Sequence, residues 1–242
     1  MERAMKSLII IQHTDSEFLG RMEDHLEGRG IRFTYLRPHT DPRQLPASAR
    51  FVDGLVLLGG GPWAASGDRR LPTLDAEILL AKECLALGKP VLGIGLGAQV
   101  LALAAGGTTA ETPLAFTVDE ARCVDPSALN GFLPARYPLA VFMRGWPQPP
   151  GYARVLALDS RDRPALFQIG ENCFGFAGHP GAKRAMVEDL MMEFDETPEM
   201  EPSELERLSA AQPALEDSLV QIMTGLIQLT GLMRAPAEIQ SP

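Results

Sequence analysis

The chain has 242 residues, 45% of them hydrophobic and 22% charged, which suits one α/β domain of ordinary size and excludes a disordered chain. Its formal net charge of −9 excludes nucleic acid and anionic membrane as partners, because no basic patch offsets it; Arg69-Arg70 and Lys183-Arg184 are isolated pairs. Cys84, Cys123 and Cys173 are odd in number and widely spaced, which fits a reducing, cytoplasmic setting and neither a disulfide framework nor a zinc site.

The N-terminal MERAMKSLIIIQH carries only a short apolar run, read as a first strand over Ser7 to His13 and not as a signal peptide. No apolar stretch reaches the roughly 18 residues a membrane span requires. Asp15 or Ser16 is placed to cap a helix through Phe18, Met22 and Leu26 that stops at Gly28 to Gly30. Ile31 to Leu36 alternates and reads as a strand; Arg37 to Ala49, rich in Pro, Asp and Arg, reads as loop; Phe51 to Leu58 reads as the third strand. Leu74, Ile78, Ala81 and Leu85 share one helical face, so Leu74 to Leu87 is a helix, with Asp75 and Glu77 near its positive end.

Lys89 to Gly107, KPVLGIGLGAQVLALAAGG, reads as strand, tight turn and helix closed by Gly106-Gly107. This is the layout of a nucleophile elbow, in which one side chain is pushed forward at a helix N-terminus. The tip position is Gly95, which has no side chain. Strand and helix alternate to this point, which predicts a parallel sheet with right-handed crossovers and a site at the carboxyl ends of its strands. Gly59 to Gly61 and Gly95 therefore meet in space.

After Thr108 short apolar runs recur at Phe116–Val118, Leu139–Met143, Arg154–Leu158 and Ala165–Ile169, an antiparallel portion. Cys173 to Ala177 is a strand delivering His179, Lys183 to Phe194 a helix, and Thr197 to Pro202 a linker. In the tail, Leu215, Leu219, Ile222, Leu226, Leu229 and Met233 form a heptad seam. Such a face packs either on its own domain or on another subunit, a homodimer through Leu215–Met233 being the second case.

Gly93-Ile94-Gly95-Leu96-Gly97-Ala98-Gln99 resembles the class I glutamine amidotransferase signature G-I-C-L-G-x-Q, departing from it only at the cysteine. Leu55 to Ser66, LVLLGGGPWAAS, resembles that family's strand followed by G-G-P, and Phe174 to Gly181, FGFAGHPG, resembles its G-V-Q-F-H-P-E. The resemblance implies an α/β, flavodoxin-like parallel sheet flanked by helices, with a smaller antiparallel portion. It sets residues 1–195 as the amidotransferase-like domain and 196–242 as a C-terminal helical extension, packed on the domain or on a partner subunit.

In that family a cysteine thiolate attacks the glutamine amide, a His moves the proton, a carboxylate orients the His, and backbone N–H groups hold the oxyanion. By the resemblance, Gly95 is the nucleophile position with the cysteine lost, His179 the residual base, and Gly181 the acid position with the glutamate lost. Gly60, Gly61 and Leu96 supply oxyanion N–H groups, and Gln99 stands at the elbow. The alternative for His179 is an imidazole held by backbone, and for Gln99 a packing role. Phe142-Met143-Arg144-Gly145-Trp146, where the family places a His-and-acid segment, has no His. The expected function is a family member without glutaminase activity that serves as a binding or partner subunit. The alternatives are an active amidotransferase or other hydrolase with its nucleophile relocated to Cys84, Cys123, Cys173 or Ser66, and a family enzyme carrying a Cys-to-Gly change. Glutamine or a related small molecule, and a synthetase or acceptor subunit, are the implied partners; no metal or cofactor is implied.

Overall fold

The computed structural model describes residues 6–232; Met233, the last residue of the heptad seam, lies outside them. The strands are β1 (Ser7–Ile11), β2 (Arg32–Leu36), β3 (Gly54–Leu57), β4 (Val91–Ile94), β5 (Thr108–Ala110), β6 (Ala115–Cys123), β7 (Arg136–Met143), β8 (Trp146–Gln148), β9 (Arg154–Leu158), β10 (Pro164–Ile169) and β11 (Cys173–Phe176). The helices are α1 (Met22–Glu27), α2 (Leu74–Ala86), α3 (Leu96–Ala104), α4 (Arg184–Glu193) and α5 (Glu204–Thr230). Nine strands form one sheet in the order β2-β1-β3-β4-β11-β10-β9-β6-β7, and β5 pairs with β8 apart from it. The pairings from β2 through β11 are parallel, and those from β11 outward to β7 are antiparallel. The antiparallel portion is thus continuous with the parallel sheet.

The parallel strands are buried on both faces, which is why they read as unbroken apolar runs. On one face α2 and α3 cover Leu55, Leu57 and Val91 with Leu80, Cys84, Leu96 and Leu101. On the other, α1 contributes Met22 and Leu26, and α5 contributes Leu219, Ile222 and Leu226, against Leu139, Val141, Leu156 and Phe176. Among the described residues no helix is long and apolar enough to cross a membrane.

Three expectations need correction. The first helix does not begin at Asp15 or Ser16. Gly20 takes φ +61, the helix starts only at Met22, and the N–H groups of Asp15 and Ser16 donate to the Glu193 carboxylate at 2.9 Å each. Strand β3 starts at Gly54, and Phe51, itself 88% exposed, ends a short 3₁₀ turn. Thr197 to Pro202 is tied down and not a free linker: Phe116 N–H donates to Glu199 O at 3.0 Å and Glu199 N–H to Leu114 O at 2.8 Å.

Helix α5 runs for 27 residues, well beyond the seam seen in the sequence. Leu215, Leu219, Ile222 and Leu226 are each 3% exposed or less. From Leu215 to Leu226 the seam's apolar face is therefore spent on the chain's own domain, and over that span it is not presented to a second copy. Gly231 ends the helix in the left-handed region, and Lys6 Nζ donates to its carbonyl at 2.7 Å. We expect Leu219→Ala or Leu226→Ala to cost about 2–5 kcal/mol of unfolding free energy, the cost of a buried cavity. Urea denaturation measures it, and a loss under about 0.5 kcal/mol, the size of a surface substitution, would show the helix detached.

Candidate functional site

The site is built where the carboxyl ends of β1, β3, β4 and β11 converge. Gly95 follows β4 at φ +56 and ψ −114, a conformation that L side chains rarely adopt. Its N–H donates to Phe176 O at 2.8 Å, and its carbonyl accepts from Ala98 and Gln99 N–H, so the turn is locked between β11 and the first turn of α3. A Cβ built on Gly95 would meet only Gly59 Cα, at 3.4 Å. The elbow is therefore formed and has room for a side chain that the sequence does not supply.

Gly59 and Gly61 lie against this turn, after β3. The Gly59 carbonyl accepts from His13 Nδ1 at 2.9 Å, and His13 Nε2 lies 2.8 Å from Glu77 Oε2. Both partners of the ring are acceptors, so both nitrogens carry hydrogen and the ring is an imidazolium. Burial pushes the His13 pKa down, but the Glu77 carboxylate, its hydrogen bond and the Gly59 carbonyl outweigh it, and the pKa is raised. Thr73 Oγ1 donates to the other Glu77 oxygen at 2.6 Å. Because a trans peptide sets C=O and N–H on opposite sides, turning the Gly59 carbonyl toward His13 turns the Gly60 N–H away from it. A buried ion pair thus fixes the orientation of an expected oxyanion donor.

Glu17 lies in the same place. It is 4% exposed, and a Cβ on Gly59 would fall 1.9 Å from Glu17 Oε1, so the carboxyl rests directly on that glycine. Burial pushes its pKa up to about 7; the His13 charge and the Gly59 and Gly61 N–H groups pull the other way. Its Oε2 is buried without a hydrogen-bond partner. A cavity of about 20 Å³ lies beside it, lined by Glu17, Gly95, Phe142, Ala177, His179 and Met186 among others.

His179 shares that cavity with Gly95, as expected for the pair, but its nitrogens are occupied. Nε2 lies 2.8 Å from Phe18 O, an acceptor, and Gly181 N–H donates to Nδ1 at 3.1 Å. The ring is therefore the neutral Nε2–H tautomer. Burial lowers its pKa to about 4, against hydrogen bonds that raise it. Gly181 is closed to any side chain: a Cβ there would meet Leu19 O at 2.5 Å and Arg21 N at 3.1 Å. Arg21 N–H also donates to Gly181 O at 3.2 Å. Backbone from the β1–α1 loop passes where an orienting carboxylate would project.

Gln99 is buried; its Nε2 donates to Arg144 O at 2.8 Å and so ties the elbow helix to the loop after β7. Arg144 reaches Pro62 O at 3.2 Å and pairs with Glu196, which Arg69 also approaches at 3.3 Å. The Phe194 ring sits against Gly61. Residues 193–199 thus form a strap across the site, anchored at both ends.

No cysteine lines the cavity. Cys84 and Cys173 are buried, and burial raises their thiol pKa values to about 11 and about 12. Cys123 Sγ donates to Asp125 O. Ser66 faces a separate groove with Arg69, Glu111 and Arg144. Among the described residues no group of three or more His, Cys, Asp or Glu side chains is placed to hold a metal.

Sequence reasoning passed over His13, Glu17, Glu77 and the strap. A signal was present: the polar run His13-Thr14-Asp15-Ser16-Glu17 begins at the carboxyl end of an apolar strand, where open parallel sheets collect their ligands.

The mixed sheet with its parallel half, the glycine loop after β3 and the elbow after β4 define a glutamine amidotransferase-type domain. The model of the family "Glutamine amidotransferase class-I" matches residues 13–134, and the chain belongs to that family. A curated relative, the GMP synthase [glutamine-hydrolyzing] of Aeropyrum pernix, is 36% identical over 164 residues, 64% of this chain. Those residues are 30% of that relative's length, so the chain spans about a third of it. A glutamine amido transferase from Methylobacillus flagellatus superposes with a TM-score of 0.81 at 25% identity, covering 99% of this chain and 100% of that one. A glutamine amidotransferase from Thermotoga maritima shares the fold, with a TM-score of 0.75 at 21% identity over 93% of this chain and 98% of that one.

Two buried titratable groups that line the cavity, Glu17 and His179, bend stability in opposite directions. Glu17 holds its proton more tightly when folded, so its contribution falls as pH rises from about 4.5 through about 7. His179 is held neutral, so its contribution falls as pH drops from 6.5 through about 4. We expect Glu17→Gln to stabilise the protein on the order of 3 kcal/mol at pH 8 and to give no gain at pH 4. Urea melts at both pH values read the difference, and an equal effect at both would mean that Glu17 does not titrate in the folded state.

Proposed function

We propose that this protein is a class I amidotransferase-family domain without glutaminase activity that serves as a binding or partner subunit. One observation carries this reading: the elbow is intact, yet its tip, Gly95, has no reactive atom. In a comparable hydrolase, loss of the nucleophile alone costs about 10⁶ in rate, and the remaining machinery leaves about 10³ to 10⁴ over water. His179 supports the reading, because its only lone pair faces Gly181 N–H and is not free to take a proton. The closed space at Gly181 supports it again, since the carboxylate cannot be restored by a side-chain change alone. The raised thiol pKa values of Cys84 and Cys173 disfavour a relocated nucleophile.

The Aeropyrum pernix relative is named for GMP synthesis with glutamine hydrolysis. That name fits a synthetase or acceptor subunit as the partner class for this domain. Glutamine or a related small molecule is the ligand class its family position suggests.

Incubation of the pure protein with glutamine should release no ammonia above the uncatalysed rate in a coupled glutamate dehydrogenase assay. Gly95→Cys should restore at most weak turnover, because loss of His orientation costs about 10⁴ in the protease case. Adding Gly181→Glu should lower the melting temperature without raising that turnover. Full activity from Gly95→Cys alone would overturn the reading of the second lesion, and turnover by the unmodified chain would overturn the whole proposal.

A further inference from the structure

Strand β6 is nine residues long, yet β9 pairs with it only at Arg122 and Cys123. Before that point the outer side of β6 faces a groove of about 680 Å³, walled by the turn at residues 160–163 and by residues 199–207. An open row of backbone donors and acceptors invites another strand. Here the row is met piecemeal. The Glu199 backbone takes Phe116 N–H and Leu114 O, and Glu120 N–H donates to the Asp119 carboxylate at 2.7 Å. Val118, at the centre of the row, is met from the first turn of α5. Its N–H donates to Glu204 Oε2 at 2.6 Å, and its carbonyl accepts from Arg207 Nη2. Glu204 and Arg207 also pair with each other across one helical turn. Together they offer one residue both an acceptor and a donor, as a residue of a neighbouring antiparallel strand would.

We propose that Glu204 and Arg207 guard the edge of β6: they hold the place of a further strand and keep a second copy of this chain from pairing its own β6 there. Packing alone does not account for the pair. Glu204 is 2% exposed, and burying its carboxylate carries a desolvation cost that an apolar side chain in the same place would avoid. An apolar side chain would pack as well, but it would leave Val118 N–H and C=O open to another chain. A second copy is the occupant excluded, because its β6 carries the same row of groups. Two such edges laid antiparallel exchange N–H and C=O between their Val118 residues, and the contact closes on itself as a twofold. Charged side chains and a covering helix are both ways in which sheet edges are kept from such pairing, and the first turn of α5 supplies both at once.

The test is the mass of the full chain in solution, by light scattering behind gel filtration over a wide range of protein concentration. Glu204→Ala with Arg207→Ala removes the guard, and the mass should rise with concentration to twice that of the unmodified chain. Adding Glu120→Pro should return it to the unmodified value. Position 120 is exposed and its N–H points away from β7, so a proline there takes a donor from the row and sets its ring in the path of an incoming strand. If the double variant does not fold, Arg207→Ala carries the test alone. That side chain is 53% exposed, and its loss frees the Val118 carbonyl, so a weaker association that still grows with concentration is expected. A folded variant whose mass stays that of the unmodified chain at every concentration overturns the proposal. Association that Glu120→Pro leaves unchanged also overturns it. A pair that merely docks α5 on the domain would lose stability on removal without gaining a partner, so the mass separates the two roles.

Discussion

The site depends on one buried contact, the His13 imidazolium held between Glu77 and the carbonyl of Gly59. Three elements meet there: the end of β1, the first turn of α2, and the loop after β3. The pair is fully desolvated, so removing either partner would leave the other buried without its counter-charge. What it secures is the direction of one peptide plane, and with it the floor on which Glu17 rests and against which Gly95 turns. The helix α2, which the sequence marks only as amphipathic, reaches the site through this single carboxylate.

The two glycines that the proposed function sets at the nucleophile and acid positions differ physically. Gly95 leaves a space open: its Cβ position is unobstructed, and the turn around it is held by hydrogen bonds to β11 and α3. Gly181 leaves no space: the carbonyl of Leu19 occupies it, and the β1–α1 loop hydrogen-bonds across it. The first position has room for a side chain, while at the second backbone fills that room. Their shared neighbour, His179, has adapted to both, donating to Phe18 and accepting from Gly181, with burial keeping it neutral.

Much of this was legible in the sequence because it depends on periodicity and on glycine spacing. The parallel strands, the elbow, the antiparallel portion and the approach of Gly59–Gly61 to Gly95 follow from apolar runs and turn chemistry. The short α1 was not legible, because Asp15 and Ser16 look like caps, and the glutamate that takes their N–H groups lies nearly 180 residues later. Glu17 and Glu77 were unreadable for the same reason: a carboxylate's meaning lies in its burial and its partner, both set by tertiary packing. Residues 197–202 read as a linker from composition, but backbone pairing at Glu199 ties them to β6, and with the Arg69–Glu196–Arg144 cluster just before them Glu199 anchors the strap over 193–199. The heptad seam was legible as apolar, and only the folded chain shows that its own sheet covers it.

The hydrogen bond from Lys6 Nζ to the Gly231 carbonyl brings the two ends of the described chain to the same place. That place is the amino end of β1, the pole of the sheet opposite the strand ends where Gly59 and Gly95 meet. One lysine thus joins the start of the first strand to the close of the last helix, so the described chain is a closed circuit whose seam lies on the side away from the glycine turn.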